Sequence, residues 1–169
     1  IAGELFAGTK VAESTVTRTF GWYKDGDTVK FSPGITFKGE KDHDIKAFKS
    51  GKVVFAGDTE YGKTVIIRTN GGTEQIAYTG LGQINVKADD AVSADTVIGK
   101  SGSSGEVTIM GIRSNEDLSK GLPAAPTTAE DVDKLGYFDM SSQFGVKGDK
   151  LSELQLKVNG YDMNSSTGK

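Results

Sequence analysis

The chain of 169 residues has no cysteine, a single histidine, three prolines and one tryptophan. Without cysteine there can be no disulfide staple, no thiolate metal site and no thiol nucleophile. A lone histidine, His43, leaves little material for proton transfer near neutrality or for an imidazole metal site. No apolar run approaches the roughly 20 residues that a membrane-crossing helix needs, so no membrane insertion is expected of this chain. Basic blocks are missing too. With 20 Lys and Arg against 23 Asp and Glu the formal net charge is −3, which lacks the electrostatic footprint of phosphate-backbone binding, and nucleic acid is not an expected partner. The chain starts at Ile1 rather than methionine, which fits a processed product or a fragment.

What the chain does have is glycine, 23 residues of it, spaced between short β-branched runs. That pattern predicts a mostly β fold with tight turns. Thr15-Val16-Thr17-Arg18-Thr19-Phe20 alternates and breaks at Gly21, while Lys52-Val53-Val54-Phe55-Ala56 and Thr64-Val65-Ile66-Ile67-Arg68-Thr69 are apolar runs closed by glycine. Asn70-Gly71-Gly72 predicts a hairpin turn joining residues 64–69 to 74–78, because positive φ at consecutive positions is cheap there.

Beyond Arg113 the composition changes. Leu122-Pro123-Ala124-Ala125-Pro126 is a stiff connector, and Thr127 with Glu130 has the spacing of a capping box, predicting a helix over 128–135 that stops at Gly136. In residues 151–158, Leu154, Leu156 and Val158 alternate, whereas Leu151 and Leu154 share a helical face; the alternation favours a strand. The length suits one main domain. The expected organisation is a lead-in over 1–14, a β domain over 15–113, a linker over 114–126 and a small C-terminal α/β extension over 127–169, with an uncharged tail at 164–168.

Several stretches between residues 15 and 113 follow one order. Phe20-Gly21-Trp22, Pro33-Gly34-Ile35-Thr36-Phe37, Gly51-Lys52-Val53-Val54-Phe55-Ala56-Gly57, Tyr78-Thr79-Gly80-Leu81, Ala91 through Gly99 and Val107 through Arg113 come in the sequence order of the lysostaphin/LytM-type zinc endopeptidases, which the chain resembles. The resemblance implies an antiparallel β-sheet LytM-like peptidase fold, of the barrel-sandwich hybrid kind. In that family zinc is held by a His, an Asp four residues later and the second His of a His-x-His strand, with the first His of that strand and the His of Tyr-x-His assisting. The resemblance puts Ser32, Thr36 and Ile109 at the ligand positions, and Val107 and Gly80 at the catalytic pair. A catalytic zinc needs about three protein ligands and an open position for water. Neutral hydroxyls are poor donors, and Val107, Ile109 and Gly80 offer no side-chain donor at all. The expectation is therefore no catalytic, metal-binding or cofactor-binding residues, with Val107 and Ile109 aimed at the former metal face as packing groups.

Other motifs carry less. His43, in Lys41-Asp42-His43-Asp44, reads as part of a solvated charged turn rather than a metal site. Ser101-Gly102-Ser103-Ser104-Gly105 lacks the lysine and following helix of a phosphate loop. Asp25, Asp27, Asp89, Asp90 and Asp95 fall in expected turns, where solvation accounts for them. The function expected from the resemblance is a catalytically inactive module, structural or protein-binding, in a larger assembly such as a phage virion or tail or the bacterial cell envelope. Its partners would be other proteins of that assembly, with peptidoglycan a further candidate. Two alternatives stay open: a lipoyl- or biotinyl-like carrier, for which Lys49 and Lys52 come nearest to a modified lysine, and a hydrolase with a non-standard site built on His43 or carboxylates.

Overall fold

The computed structural model describes residues 4–9, 11, 13–146 and 148–160. In chain order the elements are β1 (Val16–Arg18), β2 (Gly21–Asp25), β3 (Thr28–Ser32), β4 (Ile35–Lys38), β5 (Asp44–Lys46), β6 (Gly51–Thr59), β7 (Gly62–Thr69), β8 (Glu74–Ile84), β9 (Ala91–Val92), β10 (Val97–Ser101), β11 (Glu106–Arg113), α1 (Ala129–Leu135), β12 (Tyr137–Phe138) and α2 (Gly148–Asn159). The main sheet is antiparallel and runs β1-β4-β11-β8-β7-β6-β9, with β10 joining β8 to β5 and β12 added to β11. The hairpin β2–β3 stands apart as a two-stranded sheet. No helix among the described residues is long and apolar enough to cross a membrane.

The central strands are buried on both faces, which is why their sequences read as continuous apolar runs rather than alternations. On one face Val53, Val65, Ile67, Ile76, Tyr78, Ile98, Val107 and Ile109 form the main core; on the other, Ile66, Ala77, Met110 and Ile112 form a second one with Leu118, Val132 and Tyr137. The expected turn at Asn70-Gly71-Gly72 is present, with φ of 97° at Gly71 and 91° at Gly72, a region that only glycine enters without strain. A β-bulge at Val54 breaks the alternation of β6. Val53 faces Ile67 but Phe55 faces Ile66, so the extra residue turns Phe55 away from the main core and sets it, half-buried, against the second.

Two local expectations at the C-terminal end need correction. Helix α1 forms where predicted and ends at Gly136 with φ 82°, but its cap is one residue later than expected: Thr128 Oγ1 accepts from the Asp131 amide at 3.1 Å. The reciprocal carboxylate is Asp131, not Glu130, and it accepts from the Thr127 amide and hydroxyl at 3.3 and 3.1 Å. Residues 151–158 are helical and not a strand. Leu151, Leu154, Gln155, Val158 and Asn159 turn inward at helical spacing, while Leu156 is 54% exposed, whereas a strand would have required it to share a face with Leu154.

This C-terminal segment packs into the β domain. Met140, Phe144, Val146 and Leu154 belong to the same core as Leu5, Val16 and Phe37, and β12 pairs with β11 through Gly111 and Phe138. From α2, the Asn159 carboxamide accepts from the Thr19 amide at 3.0 Å and donates to the Thr19 and Trp22 carbonyls at 3.0 and 3.2 Å. The Gln155 amide donates to the Phe20 carbonyl at 3.0 Å. These side chains satisfy the backbone groups of the segment leading into β2 and the Trp22 carbonyl on β2 itself, which would otherwise lack these partners.

Candidate functional site: a hydroxyl-floored groove

The resemblance points to the surface around Ser32 and Thr36, and there the fold forms an open groove of about 530 Å³. Its floor is a row across neighbouring strands. Arg18 on β1 is opposite Thr36 on β4, and Thr36 is opposite Thr108 on β11. The Thr36 and Thr108 hydroxyls are 2.7 Å apart, and Ser32 Oγ donates to the Gly34 carbonyl at 2.8 Å. Pro33 and Gly34 make the bend that brings β3 and β4 together, and a Cβ on Gly34 would meet the Ile109 carbonyl oxygen at 2.5 Å. The bend therefore depends on glycine because of this close approach.

The groove lining includes Thr108 and Met110 but neither Val107 nor Ile109, which are fully buried in the main core. The expectation that Val107 and Ile109 would line the former metal face is thus overturned. Side chains along a strand alternate between faces, so a shift of one residue exchanges the two sets completely. The pattern Glu106-Val107-Thr108-Ile109 already held the signal, since its apolar members mark the core face. Gly80 is not part of the lining either. It has φ 78° within β8, and a Cβ there would be 3.1 Å from the Glu106 carbonyl oxygen.

Side chains beyond the floor complete the groove. The lining also includes Tyr23, Val29, Lys30 and Phe31 of the β2–β3 hairpin, Tyr61, and the segment Ala125-Pro126-Thr127. The Arg18 guanidinium lies 3.7 Å from the centre of the Tyr23 ring. Lys30 pairs with Asp25 at 2.7 Å, and the Lys30 hydrogen bond holds the Asp25 carboxyl below its ordinary range. Burial pushes the Tyr61 phenol up to about 12, and its hydroxyl is buried without a hydrogen-bond partner among the described residues. Arg18, Tyr23, Tyr61, Thr108 and Met110 were not singled out from sequence, because the groove assembles from strands far apart in the chain.

The zinc that the resemblance implies does not fit this donor set. The groove floor offers three hydroxyls and a thioether at Ser32, Thr36, Thr108 and Met110, with no imidazole or carboxylate anywhere in the lining. None of these competes with water for a divalent zinc ion as thiolate, imidazole or carboxylate does. Glu106, one step along the same face of β11, accepts from Thr17 Oγ1 at 3.0 Å. Among the described residues no three of His, Asp and Glu gather in a way that could hold a metal ion.

The other sequence candidates lie elsewhere. His43 Nε2 is 2.6 Å from the Ala7 carbonyl oxygen and its Nδ1 is 3.8 Å from Glu40, in a separate small pocket beside Phe6. Asp44 pairs with Lys100 at 3.7 Å, so Asp42, His43 and Asp44 do not converge. Asp89 pairs with Lys52, Asp95 with Lys46, and Asp90 caps the Lys87 amide, while Asp27 lies in the exposed turn of the β2–β3 hairpin. Lys52 lies within β6 opposite Arg68, and Lys49 pairs with Glu74 at 3.6 Å; neither occupies a hairpin tip. Ser101 Oγ donates to the Glu40 carbonyl, and residues 102–105 turn into strand β11 rather than a helix.

Comparison with known proteins agrees with this geometry. The structure is similar to the catalytic domain of the antimicrobial peptidase lysostaphin from Staphylococcus simulans, with 23% identity, a TM-score of 0.61, and 77% of this chain and 91% of that one covered. It is similar to LytU, at 25% identity and a TM-score of 0.55, over 80% of this chain and 97% of that one. A third likeness is to a chain in the SpoIIIAH and SpoIIQ complex, at 23% identity and a TM-score of 0.56, covering 67% and 92% of the two chains. Comparison with curated proteins gives no match. The profile of Peptidase family M23 matches residues 30–118, more than half of the chain, and spans the groove floor from Ser32 to Met110. The chain belongs to peptidase family M23, as a lysostaphin/LytM-type domain whose groove lacks the zinc ligands of the type.

Proposed function

We propose that this M23 domain is catalytically inactive and serves as a structural or protein-binding module in a larger assembly, either a phage virion or tail or the bacterial cell envelope. The observation that carries the reading is the groove floor: Ser32, Thr36, Thr108 and Met110 stand where a hydrolytic centre would need nitrogen or carboxylate ligands. A fold can outlast its chemistry because packing and site residues are separate sets. Here the packing set is intact. The groove is open and shaped, with aromatic walls suited to contact. A neighbour in fold was solved as part of a two-protein complex, SpoIIIAH with SpoIIQ, which supports a binding role for this architecture.

The test is elemental analysis of the purified protein together with digestion of peptidoglycan. The reading expects no stoichiometric zinc and no turbidity loss from cell walls. Stoichiometric zinc together with hydrolysis that a chelator abolishes would overturn it.

A further inference from the structure

We infer that the groove is a receptor for an extended acidic peptide segment, which adds as a third strand to the edge of β3 and places a carboxylate on Arg18 beside the Thr36–Thr108 hydroxyl pair. This deepens the binding-module reading and rests on it.

The edge comes first. The turn between β2 and β3 has two residues, and Gly26 supplies at its first position the positive φ, 63°, that a type II′ turn requires. In such a hairpin Thr28, Lys30 and Ser32 bond to β2, so the N–H and C=O groups of Val29 and Phe31 point outward. On the outer edge of β2 the Trp22 carbonyl is already taken by Asn159. Among the described residues nothing pairs with β3 on its other side, and Val29 is 46% exposed. Four successive residues, Val29 through Ser32, line the groove. Because alternate side chains of a strand leave opposite faces, four in a row can line one groove only if the groove runs along the strand's edge. An extended backbone entering it meets unpaired main-chain groups of the kind that strand addition uses.

Charge then selects the side chain. The protein is net negative, yet the groove lining holds Arg18 and Lys30 and no carboxylate. Lys30 is neutralised by Asp25, but among the described residues no carboxylate lies within ion-pair distance of Arg18, and its Nε is buried without a hydrogen-bond partner. The Tyr23 ring holds the guanidinium in place. Of the two hydroxyl protons on Thr36 and Thr108, one is used between them, and the structure gives the other no acceptor among the described residues. A carboxylate would accept from the guanidinium and from that hydroxyl at once, forming charge-assisted bonds that are the stronger class.

The probe is a blocked hexapeptide of alternating threonine and aspartate, titrated into the isotope-labelled full chain, with the asparagine peptide as its counterpart. Expected are shifts of the Val29 and Phe31 amides and of the Arg18 Nε–H signal, with affinity at least about tenfold higher for aspartate than for asparagine, a difference of about 1.4 kcal/mol. Arg18→Gln should abolish the preference and Thr36→Val should reduce it. If Arg18→Gln does not fold, the comparison of the two peptides on the parent protein decides alone. Equal affinity of the two peptides, or shifts confined to other strands, would overturn the inference. So would a soluble muropeptide that moves the Arg18 signal where the peptide does not. Cleavage of the probe would instead sink the inactive-module reading, so the two failures are distinct.

Discussion

The Thr36 and Thr108 hydroxyl oxygens lie 2.7 Å apart across β4 and β11, one donating to the other, and Thr36 stands where the family resemblance calls for a metal-binding carboxylate. The pair converts a would-be coordination site into a neutral polar floor. Its neighbours one residue along, Phe37 and Val107, face the core from the same two strands. The same pleat therefore separates floor from core.

That separation predicts where metal binding can be rebuilt. Ser32→His, Thr36→Asp and Met110→His together place ligands on the groove side, and the triple variant should gain zinc measurable by elemental analysis and a higher melting temperature when zinc is added. Val107→His with Ile109→His should not bind zinc and should lose stability. Zinc uptake by the second pair and not by the triple variant would show that the strand faces are assigned the wrong way round.

Ile109→Asp puts a charge into a fully buried site. The expected cost is at least about 3 kcal/mol, which for a chain of this length is a drop in melting temperature of roughly 10 °C. Thr108→Asp, on the groove side, should cost much less. Thermal denaturation of both variants checks the contrast.

Helix α2 is tied to the segment around Thr19 through the Asn159 and Gln155 carboxamides. Asn159→Ala leaves the Thr19 amide and two carbonyls without this partner and should cost about 1–3 kcal/mol. Leu156→Ser changes an exposed position and should stay within about 0.5 kcal/mol. Urea unfolding that ranks the two the other way would favour the strand reading of residues 151–158.

A chain ended at Pro126 would lose Tyr137, Met140, Phe144, Val146 and Leu154 from the two cores. It should fail to fold, giving a collapsed amide spectrum and no cooperative melt. A well-folded truncated protein would show that the C-terminal segment is an independent appendage.

Alkaline conditions should weaken the fold. Phenols of the unfolded chain ionise near pH 10, but burial pushes Tyr61 up to about 12 and raises Tyr78 and Tyr137 as well. Between those values the unfolded state binds fewer protons than the folded one. Stability is thus fully present below about pH 10 and falls as pH rises through 10 to 12. Phenolate absorbance should show the buried tyrosines titrating late and together with unfolding; ionisation of all five near pH 10 in a still-folded protein would contradict this.

The sequence made the fold legible wherever apolar runs met glycine: β6, β7 and β8 and the turn at Gly71 and Gly72 lie where patterning puts them. It failed where two periods competed, as in residues 151–158, because Gln155 and Asn159 are inward-facing polar residues that an apolar pattern cannot register. At the groove, Ser32 and Thr36 were reachable from the order of motifs. Arg18 was not, since its opposition to Thr36 depends on the bulge in β1, which no local signal announces. The register of β11 is legible in the apolar side chains of Val107 and Ile109, which mark the core face, whereas motif spacing assigns them to the metal face.

Gly80 has a consequence for the history of this site. Its left-handed backbone and the nearby Glu106 carbonyl oxygen penalise any side chain there. Return of an imidazole at this position would carry a backbone penalty of about 1–2 kcal/mol, with a small local shift of the Glu106 carbonyl. At this position the first step back costs stability before it yields any chemistry, whereas drift among binding functions meets no such penalty.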